Sequence, residues 1–287
     1  MKNIIDINKI KGALYGFAIG DAMGATTEFA DEYDISRCYG KVDHIIGGGW
    51  LNLDPGQVTD DTEMTLCVAQ AYIDSEGGTD QFLTYCTQNF VDWLDSEPRD
   101  IGNTCRTAIM ENRNTNNPYK WMDRNYERQI LSGHSDFGNG ALMRCLFPIL
   151  CGNLGAALMQ AKLTHNNTLN DRMITFYGMK VKAALNGTPF PEYFNGYVCD
   201  PTGHIADTLE NVLYWVSSTD NFRDSILGPV NRGGDADTIA AITGGLSGAY
   251  YGFDQIPNQW ISELDPKVRK KLDHYANWAW AIQLQAE

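Results

Sequence analysis

Two short stretches, Thr59-Asp60-Asp61-Thr62-Glu63 and Gly233-Gly234-Asp235-Ala236-Asp237-Thr238, concentrate the oxygen chemistry of this chain. Each brings two aspartates and a threonine hydroxyl together at a point that reads as a loop becoming a helix. Carboxylate and hydroxyl oxygens are the donors that hard divalent cations take. A pair of Mg2+ or Mn2+ ions needs several carboxylates converging at once, because both cations must be held close together. A soft-metal site would instead show cysteines or several histidines. The competing reading of each stretch is an ordinary helix cap, for which Asp and Thr are favoured as well. Two such clusters far apart in sequence, with Glu28 and Asp100 at further helix starts, favour the metal reading over coincidence.

Helices must position these groups. The spacing predicts a helix from Lys9 to about Gly24, with Ile10, Leu14, Phe17 and Ala18 as its buried stripe. Gly12, Gly16, Gly20 and Gly24 recur every fourth residue, a costly use of glycine inside a helix unless a neighbour comes close. The helix after Thr238 repeats the device with Gly244, Gly248 and Gly252. The two are therefore expected side by side at the centre, which would bring Glu28 and Asp61 near Asp235. Asp21 is expected to stand behind the site and not in it. Residues 30–58 read as a long loop, and long loops are often functional. Further helices are expected from Thr59-Asp60 to about Ser75, at 79–95, from about Asp100, at 153–163, 168–186, 205–217, 221–228 and 266–284. Residues 111–137 read as polar surface or a lid, followed by a helix-initiating Gly138-Asn139-Gly140 turn; 187–203 read as loop. No period-2 strand and no alternation of strands with helices is found, so the fold class is all-α, a compact single domain over residues 1–287.

The whole-chain balance is that of an ordinary globular protein. With 287 residues, 43% hydrophobic, the chain can bury a large core, and its net charge of −14 argues against non-specific binding to nucleic acid or an anionic membrane. An anionic substrate is still admissible, since a bound metal or a helix N-terminus can reverse the sign locally. Seven cysteines without a C-x-x-C pair read as free thiols of a reducing cytoplasm. Neither a signal peptide nor a membrane-spanning run is expected.

Gly20-Asp21-Ala22-Met23-Gly24 with Glu28-Phe29, then Thr59-Asp60-Asp61-Thr62, Gly138-Asn139-Gly140 with Met143-Arg144, Thr164-His165 and the Gly233–Thr238 stretch resemble the ADP-ribosylglycohydrolase family in order and spacing, from about residue 10 to 265. Ile46-Gly47-Gly48-Gly49-Trp50, Pro55-Gly56-Gln57-Val58-Thr59, Asp100-Ile101-Gly102 and Ile256-Pro257 look most like the bacterial branch that reactivates dinitrogenase reductase, the nitrogenase iron protein. The resemblance implies an all-α orthogonal bundle with two divalent cations, Mg2+ or Mn2+. It implies a hydrolase that removes ADP-ribose from arginine on a protein, releasing ADP-ribose, with a nitrogen-regulatory PII protein as a partner known in that branch.

Carried over by motif, Thr59, Asp60, Asp61, Asp235, Asp237 and Thr238 would ligate the metals, with Glu28 as ligand or gate. Asp100 would do acid/base work, and His165 would lie near the ribose or the leaving arginine. Gly138, Asn139, Gly140 and Asn103 would hold the ADP-ribose. His204, a further substrate contact, stands where the bacterial branch usually carries tyrosine, which leaves the environment of the target arginine open. Arg232 ahead of the two glycines is a second difference, as a salt-bridge partner or a phosphate contact. The alternatives are another ADP-ribosyl linkage, to serine, nucleic acid or a free ester, and a non-catalytic relative; the latter should have lost carboxylates that this chain keeps.

Overall fold

The computed structural model describes residues 5–76, 78–133, 137–190 and 198–285. Among the described residues fourteen α-helices follow one another: α1 (Ile7–Gly24), α2 (Glu32–Tyr39), α3 (Asp60–Asp74), α4 (Thr79–Asp95), α5 (Asn103–Asn112), α6 (Pro118–Leu131), α7 (Leu146–Leu150), α8 (Leu154–Ala161), α9 (Thr168–Leu185), α10 (Ile205–Ser217), α11 (Phe222–Arg232), α12 (Ala236–Tyr251), α13 (Asn258–Glu263) and α14 (Pro266–Gln285). Among the described residues, β structure is limited to two isolated bridges, Gly48–Leu53 and Gly138–His204. The all-α expectation holds.

The centre is α1 against α12. On α1 only Ile7, Asn8, Lys9 and Lys11 escape full burial, so the expected apolar stripe is in fact an apolar cylinder with other helices around it. The glycine stripe makes the contact with α12. A Cβ on Gly20 would lie 2.1 Å from the Ala240 carbonyl oxygen, and one on Gly16 would lie 2.3 Å from that of Gly244. Gly12 meets Gly248 and Gly24 meets Ala236 in the same way, so the helices run antiparallel with their backbones touching. Each glycine costs about 1 kcal/mol in helix propensity relative to alanine. The close approach offsets that cost through dispersion contacts along the whole length. It also fixes the C-terminal end of α1 beside the N-terminal end of α12, where the carboxylates are.

Parts of the chain differ from expectation, and others lie outside the described residues. The 30–58 loop contains α2, capped by the Asp31 carboxylate on the Asp34 N–H at 2.7 Å and anchored by one fully buried residue, Ile35. A single anchor leaves no apolar period to read. The polar surface segment 111–137 contains an unexpected helix, α6, started by Asn117 and Pro118 and packed on α5. Its buried face mixes Trp121 and Met122 with Asn125 and Gln129, which hides the pattern. Residues 134–136, including His134, and 191–197 of the expected 187–203 loop lie outside the described residues. The Gly138-Asn139-Gly140 turn does not open a helix directly; turns continue to Arg144 and α7 begins at Leu146. The short α7 and α13 were below what periodicity detects.

Candidate active site

Asp21, in the last turn of α1, builds the first cluster from behind. Its fully buried carboxylate accepts from the Thr59 N–H at 3.0 Å, the Thr59 hydroxyl at 2.9 Å and the Thr62 N–H at 3.0 Å. It thereby satisfies the open backbone donors at the start of α3. Asp60 and Asp61 are freed from capping and turn into a cleft of about 550 Å³.

The second cluster is placed by the Gly233–Gly234 turn. Both glycines have positive φ, 78° and 68°, and a Cβ on Gly233 would meet the Ala30 carbonyl oxygen at 2.0 Å. The turn is stitched to the opposite walls by Phe29 N–H to Gly234 O at 2.7 Å, Gly234 N–H to Ala30 O at 3.0 Å and Asp235 N–H to Pro201 O at 2.9 Å. Asp235 occupies the N-cap position of α12 but its side chain makes no capping bond. It accepts instead from the Asn139 amide at 2.5 Å, and Asn139 also donates to Thr208 Oγ1 at 2.9 Å.

The two clusters meet. The Thr238 hydroxyl donates to Asp61 Oδ2 at 3.1 Å, and the Thr59 hydroxyl lies 3.5 Å from Asp237 Oδ2. One carboxylate oxygen each from Glu28, Asp235 and Asp237 falls within 4.8 Å of the others. Asp60 Oδ2 accepts from the Gly102 N–H at 3.2 Å, and its carboxyl is hydrogen-bonded to Asp100. Those contacts tie the start of α5 to the cluster.

Burial pushes every one of these carboxyls up. Asp21 and Asp235 rise to about 6, and Glu28 to about 8 despite the bond from Trp50. Burial, then Asp100, raises Asp60; burial, then Asp21, raises Asp61; burial, then Glu28, raises Asp237; burial raises Asp100. Among the described residues none of the seven is in a salt bridge. Uncompensated carboxylates in a protein interior are expensive. Asp61 Oδ1 is buried without a hydrogen-bond partner. An all-oxygen donor set of this charge, with an oxygen left over, fits hard divalent cations.

Glu28, Asp60, Asp61, Asp100, Asn103, Gly138, Asn139, Gly140, His165, Asp235, Asp237 and Thr238 all line the one cleft. Thr59 stands behind it with its hydroxyl on Asp21. His204 lies beside it, joined through the Gly138–His204 bridge, with its ring edge-on to Phe137 at 5.8 Å and Nδ1 3.8 Å from Asp207. Burial, then the Arg144 charge, pushes His165 down to about 3, so its ring is neutral at pH 7. Arg232 lies 3.9 Å from Glu32 and donates to the Cys199 carbonyl, away from the carboxylates.

Sequence reasoning missed Phe29, Trp50, Thr104, Cys105, Met143 and Thr202 in the lining. Phe29 adjoins Glu28 and Trp50 ends a run of three glycines, which were usable signals; Thr202 offered none. It also missed the work of Arg144, which is fully buried. Its guanidinium donates to Gln160 Oε1 at 2.8 Å, Thr164 Oγ1 at 2.6 Å and the Gly140 carbonyl, while Thr164 Oγ1 meets His165 Nδ1 at 2.7 Å. This network fixes the glycine turn against His165.

A family model described as ADP-ribosylglycohydrolase matches residues 2–189 and 175–287. The chain is 37% identical over 286 aligned residues to ADP-ribosyl-[dinitrogen reductase] glycohydrolase of Rhodospirillum rubrum, covering 91% of this chain and 92% of that one. It is 33% identical to ADP-ribosylarginine hydrolase Tri1 of Serratia proteamaculans (strain 568), over 92% of this chain and 77% of the relative. A solved structure described as an ADP-ribosylglycohydrolase-related protein complex superposes with a TM-score of 0.77 at 27% identity, covering 96% of this chain and 98% of that one. Among the described residues no helix is long and apolar enough to cross a membrane, and all seven cysteines are unpaired.

Proposed function

The chain belongs to the ADP-ribosylglycohydrolase family, and from that premise we propose that it is a divalent-metal-dependent hydrolase releasing ADP-ribose from a modified arginine of a protein, with dinitrogenase reductase as the target. The observation that carries the metal half is the meeting of two distant acidic clusters, uncompensated and with an orphan oxygen, in one cleft. The arginine half is supported by the relatives from Rhodospirillum rubrum and Serratia proteamaculans, whose names carry dinitrogen reductase and ADP-ribosylarginine.

In this reading Asp60, Asp61, Asp235, Asp237, Thr59 and Thr238, with Glu28, would hold two cations, Mg2+ or Mn2+. Bound there, the cations supply positive charge that orients the ribose hydroxyls and activates water. Gly138, Asn139, Gly140 and Asn103 receive the anionic ADP-ribose, α5 presenting its uncapped N-terminal end to the cleft. Water adds to the ribose C1 as the bond to the guanidino nitrogen breaks, and positive charge builds on the sugar. Glu28 and Asp235 stabilise that charge. Asp100, at the edge of the cluster, takes a proton from the attacking water and passes it to the departing nitrogen. His165, neutral, braces the glycine turn. The same reading takes residues 1–287 as one catalytic domain in a reducing cytoplasm and a nitrogen-regulatory PII protein as its docking partner, the last supported by motif resemblance.

The test is release of ADP-ribose from arginine-linked and serine-linked protein substrates, each with Mn2+, with Mg2+ and with EDTA. Turnover of the arginine-linked substrate that depends on the cation is expected. Turnover of the serine-linked substrate alone would transfer the reading to that linkage.

A further inference from the structure

At the mouth of the cleft two aromatic rings are held out into solvent. Phe29 is 69% exposed and Trp50 is 53% exposed, their ring centroids are 5.4 Å apart with planes at 49°, and both line the same cleft as the carboxylates. Neither is a loosely tethered surface side chain. Phe29 sits at φ 60°, a conformation that strains a bulky residue, and its N–H is bonded to Gly234 O at 2.7 Å. Trp50 rides on a tight turn closed by Gly48 N–H to Leu53 O at 2.8 Å and Leu53 N–H to Gly48 O at 2.9 Å. Arg99, next to Asp100, pins that turn by donating to Asn52 O at 3.1 Å. The Trp50 indole N–H donates to Glu28 Oε2 at 2.6 Å. Backbone strain and a pinned turn are thus used to keep two rings exposed beside a carboxylate. Burial cannot be the gain, since neither ring is buried.

Aromatic faces beside a carboxylate are the surroundings that favour a planar, weakly hydrated cation. The other side of the site's chemistry, the α5 N-terminus and the 138–140 turn, favours an anion. An arginine-linked substrate has both ends: an anionic pyrophosphate and a guanidinium. We infer that the Phe29–Trp50 pair receives the leaving guanidinium and so selects for arginine over a hydroxyl-linked residue; this rests on the arginine reading above. When the sugar–nitrogen bond breaks, its electron pair stays on nitrogen, which takes a proton and leaves as the guanidinium of the unmodified arginine side chain. The rings favour that cation in the departing state, and the neutral hydroxyl released from a serine linkage gains nothing from them.

The experiment compares Phe29→Leu, Phe29→Tyr and the unaltered enzyme on arginine-linked substrate, with inhibition by ADP-ribose measured alongside. Leucine keeps bulk and the same backbone demand but removes the aromatic face. Loss of that face lowers kcat/KM by about tenfold, the scale of a partly desolvated cation–π contact. Tyrosine restores it, and the inhibition constant for ADP-ribose stays unchanged in both variants. In parallel, agmatine, which carries a guanidinium and an amine but no ADP-ribose, is titrated into the Mg2+-loaded protein beside putrescine, which carries amines only, while the indole N–H resonance of Trp50, identified by its loss in Trp50→Phe, is followed by NMR. That resonance shifts with saturation under agmatine and not under putrescine. Phe29→Leu matching the unaltered enzyme, or a Trp50 resonance unmoved by agmatine or moved equally by putrescine, overturns the inference. If the unaltered enzyme leaves arginine-linked substrate intact, the proposed function falls, and the agmatine titration alone decides whether the rings bind guanidinium.

Discussion

Asp237 is 1% exposed and faces Glu28, Asp61, Asp235 and Asp21 without a cation among them. A residue in that position lowers the stability of the metal-free fold while serving the metal. Asp237→Asn keeps an oxygen for the Thr238 N–H, which Asp237 now receives at 2.8 Å, and removes the charge. In EDTA the variant therefore melts higher than the unaltered protein, by about 2 kcal/mol of stability, while its Mn2+ affinity and turnover collapse. Calorimetric melting with and without EDTA checks both halves. The pH direction follows from Glu28. Its folded value, raised to about 8 from the ordinary 4.5, gives stability that is complete below the unfolded value and is lost as pH rises through 8. The EDTA-treated protein thus weakens between pH 6 and 8, and added metal raises its melting temperature more at pH 8 than at pH 6.

The elements that carry the site are α1 and α12, and their glycines make a sharp test. On Gly20→Ala the new Cβ would lie 2.1 Å from the Ala240 carbonyl oxygen, a backbone atom that cannot move aside. The helices separate, at a cost of about 3 kcal/mol. Because Asp21 and Glu28 ride on or beyond the end of α1 and Asp235 and Asp237 sit at the start of α12, metal affinity falls with stability. Far-ultraviolet circular dichroism with a Mn2+ titration reads both; unaltered metal affinity would show that the helix contact does not position the clusters. This contact was legible in sequence because glycine at every fourth position weakens a helix unless a second backbone lies against it. The Thr59–Asp61 and Gly233–Thr238 junctions were legible too, since each carries more carboxylates than an ordinary cap uses. What stayed hidden was held by single anchors or polar contacts. α2 rests on Ile35, α6 on a face half amide, and the glycine turn on an arginine whose partners Gln160 and Thr164 lie in another part of the chain.

Over the whole molecule, an acidic protein of net charge −14 gathers seven carboxyls at one point, five of them buried, and among the described residues no lysine or arginine forms an ion pair with them. Basic partners would have made a more stable metal-free fold and an inert one. In the proposed function the surrounding helices keep that charge concentrated for cations, beside an N-terminal helix end for the anion and, by our inference, aromatic rings for the leaving group. The most direct measurement is anomalous diffraction at the manganese edge from crystals grown with Mn2+. Two peaks are expected between the Asp60–Asp61 pair and the Asp235–Asp237 pair, with Glu28 at one of them. Manganese bound elsewhere, with no peak between those two pairs, would contradict the account.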